Sequence, residues 1–135
     1  MTTASQATAA FMQKLGETSS EEELISMLNS EVDLNFQFDN FTPFMFAISQ
    51  GCTPALVEEM LAFGANPFVC VDGINALDIA ARSHQNPEVI KMLARQGFDS
   101  EALTRALFLA AAENTNFRII LELVKAGADA YAEVD

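Results

Sequence analysis

A chain of 135 residues, half of them hydrophobic, is the size of one ordinary domain with a real core and is too apolar to be a disordered tail. Its 19 acids against 7 bases give a formal net charge of −12, which disfavours nucleic acid and anionic membrane as partners. The same charge favours a basic protein surface or serves solubility alone.

Two cysteines, Cys52 and Cys70, lie far apart with a single histidine in the chain, so neither a disulfide scaffold nor a zinc site is expected. The opening "MTTASQATAAFMQKLG" has no basic stretch leading into an apolar run, and nowhere do about 18 apolar residues follow one another. A soluble, cytoplasmic protein is the expectation.

Near the N-terminus, "SSEEELISML" has the Ser20 to Glu23 spacing of a capping box, with acids near the positive end of a helix dipole. A solvated N-terminal capping helix pair over residues 1–30 is predicted. The charge is uneven: residues 1–70 hold nine acids and one base, a net of −8, against −4 for the rest.

Next comes "NFQFDNFTPFMF", with Phe36, Phe38, Phe41, Phe44 and Phe46 within twelve residues. A repeat explains it. The segment from Asp39 lies over the segment from Asp72 at a constant offset of 33, placing Phe44 on Leu77, Phe46 on Ile79 and Gly64 on Gly97. Units over 39–68 and 72–99 follow, and a last one over 100–135 is offset by 30, with Gly127 on Gly97.

Each unit reads as two short helices and a turn. The first helix ends at Gly51, His84 or Asn114, three residue types that tolerate a left-handed backbone to different degrees. The second opens at Thr53-Pro54, Asn86-Pro87 or Asn116. Asp39-Asn40 and Asp72-Gly73 read as two-residue hairpin turns between alternating residues, Asp-Gly being the stronger signal. The hairpin before the last unit is three residues short, so its helix could start directly at Ser100.

On "TPFMFAISQG", "AFGANP" and "KAGADA" together, the chain resembles an ankyrin repeat protein. The resemblance implies an all-α repeat, an ankyrin-type solenoid of about four helix-turn-helix units linked by short β-hairpin fingers. It departs from the family pattern where the motif histidine is Met45 in one unit and Asp78 in the next.

No catalytic constellation is legible. His84 sits at a helix end beside no nucleophile, and Glu58 and Glu59 are adjacent on one helix and point apart. No phosphate-binding glycine loop, metal-ligand spacing or cofactor motif appears, so no enzyme, cofactor or metal is expected.

The resemblance implies partner contacts at the finger tips and on the first helices. At the tips these are Phe38, Asp39, Asn40 and Phe41, then Asp72 and Ile74. On the helices they are Met45, Ser49 and Gln50, then Asp78, Arg82 and Ser83, then Glu113. The leading expectation is a monomeric acidic binder, of inhibitor or immunity type, that occludes a basic surface of another protein. The alternative is a structural or homo-oligomer-forming subunit of a larger assembly.

Overall fold

A short helix pair of a repeat cannot bury its apolar face alone, so neighbouring pairs stack to close a shared core. The computed structural model describes residues 5–17, 20–38, 40–84 and 86–128. Eight helices are formed among them: α1 (Gln6–Leu15), α2 (Glu21–Met27), α3 (Pro43–Ser49), α4 (Pro54–Ala62), α5 (Ala76–Ser83), α6 (Pro87–Ala94), α7 (Ser100–Glu113) and α8 (Phe117–Ala126).

They form two layers. In one, α1 packs on α3, α3 on α5 and α5 on α7; in the other, α2 packs on α4, α4 on α6 and α6 on α8. The seam holds Phe11, Phe44, Ile48, Val57, Met60, Leu77, Val89, Ile90, Leu93, Ile119 and Leu123, each at most 1 % exposed. Ala47, Ala80 and Ala110 occur at equivalent positions and are fully buried, so the backbones of α3, α5 and α7 can approach closely.

Start signals act as the residue types dictate. Thr42, Thr53, Asn75, Asn86, Asp99 and Asn116 each cap a helix, their side-chain oxygens accepting from an early backbone N–H. Pro43, Pro54 and Pro87 occupy the first turn, where a missing N–H costs nothing. The Ser20 capping box is only half made: Ser20 Oγ accepts from Glu23 N–H at 3.1 Å, while the Glu23 carboxylate turns to Lys14 Nζ at 3.3 Å.

Asp72 (φ 54°) and Gly73 (φ 79°) both adopt the left-handed backbone that a tight two-residue turn demands. Val71 and Ile74 exchange N–H···O bonds of 2.9 and 3.1 Å across it. This is an isolated antiparallel bridge, and no strand extends from it among the described residues. At the other predicted turn, Phe38 N–H donates to Phe41 O at 2.9 Å, and Asp39 lies outside the described residues. Before the last unit the chain enters α7 directly at Ser100, because Asp99 takes up the role of its N-cap.

The left-handed ends of the first helices need correction. Gly51 has φ 78°, but His84 and Asn114 are extended, at φ −75° and −94°. These two serve the fold through their side chains instead. His84 Nδ1 accepts from Asn86 N–H at 3.0 Å, which leaves the proton on Nε2 to donate to Cys52 O at 2.9 Å. Asn114 Nδ2 donates to Ala81 O and His84 O, both at 2.9 Å, and its Oδ1 accepts from Asn116 N–H at 2.8 Å. Each therefore links its own unit to the preceding one.

Phe44 is 1 % exposed, whereas Phe46, like Ile79 at the equivalent position, is only half-buried. Phe44→Ala is expected to lower unfolding stability by about 3–5 kcal/mol in urea titrations, and Phe46→Ala by roughly half as much.

Candidate functional site

The expected contact residues fall into three environments. At the first turn, Asn40 is exposed and Phe38 and Phe41 are half-buried, part of a run of four rings. Phe36 meets Phe38 edge-on at 5.0 Å between centroids, Phe38 stacks on Phe41 at 5.5 Å, and Phe41 tilts against Phe46 at 5.5 Å. All four keep part of their surface open. Such a ladder holds each ring through its neighbours, so a rigid apolar surface is offered at low entropic cost. At the second turn Asp72 is exposed and Ile74 half-buried.

On the first helices, Ser49, Gln50, Arg82, Ser83 and Glu113 are all exposed. Arg82 Nε donates to Glu113 Oε2 at 2.8 Å, tying α5 to α7 across the floor of a shallow groove of about 270 Å³ lined by Ile79, Arg82, Ser83 and Glu113. The pair is wet, at 42 % and 46 % side-chain exposure, so it contributes less than about 1 kcal/mol and can exchange partners at little cost. Ser49 and Ser83 turn their hydroxyls back to Phe46 O and Ile79 O, at 2.7 and 3.1 Å.

Met45 and Asp78 are removed from this surface. Met45 is 2 % exposed, its N–H bonded to the Thr42 hydroxyl. Asp78 is 1 % exposed and works within the stack. Its Oδ2 accepts from Asn75 N–H at 3.1 Å, while Asn75 Oδ1 accepts from Asp78 N–H at 2.9 Å, a complete capping box. The same carboxylate receives Arg105 of α7 through both Nη2 (2.8 Å) and Nε (3.3 Å). The hydrogen bond to Asp78 raises the Arg105 pKa above its ordinary value. In place of a surface acid, the sequence has put here a buried carboxylate that needs a partner 27 residues away.

Little else in the molecule is chemically poised. Burial pushes the Cys52 thiol up to about 12, away from the thiolate that nucleophilic chemistry requires. Both ring nitrogens of His84 are engaged with backbone. Among the described residues, no group of three or more His, Cys, Asp or Glu could hold a metal ion, and no helix is long and apolar enough to cross a membrane.

One surface escaped the repeat reading. Phe117, Leu121 and Val124 are 67 %, 48 % and 39 % exposed on α8. Their i, i+4, i+7 spacing is legible in the sequence as a helix face, but its exposure is set by tertiary packing, which spacing alone does not encode.

A family model described as Ankyrin repeats (3 copies) matches residues 11–104, more than half of the chain. No curated protein shows a significant match. Arg105→Ala is expected to destabilise the fold by about 1–3 kcal/mol in urea, with a smaller loss when Asp78→Asn is already present, because the neutral amide no longer needs a cation.

Proposed function

The chain belongs to the ankyrin repeat family, and on that premise we propose that it is a small acidic binder of inhibitor or immunity type that occludes a basic surface of a partner protein. Ankyrin repeats are generally protein–protein interaction modules. In this reading the stack counts four helix pairs with α1 and α2 as the cap, and the turns at 39–40 and 72–73 act as short β-hairpin fingers. The protein is monomeric when free, cytoplasmic, and works by binding, without catalysis.

The observation that carries the proposal is the half-open Phe36, Phe38, Phe41, Phe46 ladder set in the part of the chain with a net charge of −8. Aromatic rings supply anchors of large area, and they also attract cations over their faces. The carboxylates of residues 1–70 steer a basic partner toward this part of the chain and repel an acidic one. An arginine- or lysine-rich surface satisfies both demands at once. Asp39, Asn40, Asp72 and Ile74 then complete the contact at the turns, with Ser49, Gln50, Arg82, Ser83 and Glu113 along the helices.

Affinity capture from the native host tests this, using the intact chain and its Phe38→Ser and Phe41→Ser variants. A basic partner is expected that both variants lose, with affinity falling about tenfold or more between roughly 50 and 300 mM salt. A partner held equally by both variants and at both salt concentrations would rule the reading out.

A further inference from the structure

The bases of this acidic chain are not scattered evenly with respect to their acids. Lys14 pairs with Glu17 and Glu23, Arg82 with Glu113, and Arg105 with Asp78. Lys91, Arg95 and Arg118 have no ion pair among the described residues, and Lys125 approaches Glu122 only at 3.8 Å with its side chain 73 % exposed. These four lie together. Lys91, Arg95 and Lys125 line a groove of about 340 Å³ between α6 and α8, and Arg118 and Lys125 line an adjoining groove of about 450 Å³ that contains Leu121.

Beside the grooves runs the exposed stripe of Phe117, Leu121 and Val124. α8 is the last described helix, and its inner side, Ile119 and Leu123, is spent on α6 and α7. Its outer side joins apolar area to a local excess of positive charge, four bases against Glu88 and Glu122, in a chain of net −12. We propose that this face docks an acidic amphipathic helix of another protein, whose apolar residues cover Phe117, Leu121 and Val124 and whose carboxylates meet Arg95, Arg118 and Lys125.

Two other occupants fit less well. An anionic bilayer spreads its charge well beyond the grooves and would meet the repulsion of the whole molecule, net −12, which a single helix seated along α8 meets only in part. An antiparallel twofold pairing of α8 with a second copy of itself sets each flank against its own equivalent, so Arg118 and Lys125 would face the same bases. An acidic helix turns that repulsion into attraction. This surface is separate from the phenylalanine ladder and asks for the opposite charge.

Two synthetic helical peptides provide the test, identical in leucines at i, i+3, i+4 and i+7 but flanked by glutamates in one and lysines in the other. Fluorescence anisotropy with the full chain carrying Phe38→Ser and Phe41→Ser, which removes the ladder as a second site for the lysine peptide, is expected to show the glutamate peptide binding about tenfold tighter, although the net charge of the molecule favours the lysine peptide. R118E/K125E should reverse that order, and Leu121→Ser should weaken both peptides, with circular dichroism confirming that each variant is folded. Equal affinities, a preference for the lysine peptide, or no effect of Leu121→Ser would overturn the proposal. So would pelleting with phosphatidylserine vesicles without glutamate-peptide binding, or a concentration-dependent dimer by light scattering that Leu121→Ser abolishes.

Discussion

Everything in this structure depends on backbone groups at the ends of one helix pair being satisfied by side chains of its neighbour. His84 donates to Cys52 O, and Asn114 donates to Ala81 O and His84 O, so consecutive units are tied along one edge. At the opposite edge, Asn35 Nδ2 donates to Gly64 O at 2.9 Å and Asn35 Oδ1 accepts from Asn66 N–H at 2.6 Å. Short loops have no sheet to pair with, and an unpaired buried carbonyl costs about 1–3 kcal/mol. The stack thus settles its polar accounts between units while the apolar seam is closed by the same contacts.

This arrangement explains where stability and openness lie. Positions between two units are filled and bonded, and no buried side-chain nitrogen or oxygen is left without a partner among the described residues. Groups at the open edges keep free surface: the phenylalanine ladder beside the first turn and the outer side of α8. A rigid repeat frame presenting adaptable edges suits recognition, since the frame bears the ordering cost before a partner arrives. The two open surfaces differ in charge, one set in the most acidic part of the chain and the other lined by Lys91, Arg95, Arg118 and Lys125, of which the first three make no ion pair among the described residues.

Much of this was legible in the sequence, because helix starts are written locally. Thr53-Pro54 and Asn86-Pro87 announce their helices, Asp72-Gly73 its turn, and the three-residue shortening foretells the entry to α7 at Ser100. What depends on a neighbour was not legible. Asp78 reads as a surface acid until Arg105 is brought to it across the stack, and Met45 reads as a contact residue until α3 turns it inward. His84 and Asn114 occupy the slot of a glycine, Gly51, so their alignment suggested shared backbone geometry. Their extended backbones and bonded side chains are a second solution to ending the same helix, visible only once the preceding unit is in place.

The claim that neighbouring units are stitched by side chains to backbone is tested most directly at Asn114, which holds two carbonyls of the unit before it. In urea unfolding followed by circular dichroism, Asn114→Ala is predicted to cost about 2 kcal/mol and to lower the m-value, as α7 and α8 begin to melt apart from the rest. A loss within about 0.5 kcal/mol at an unchanged m-value, the behaviour of an ordinary surface substitution, would contradict it.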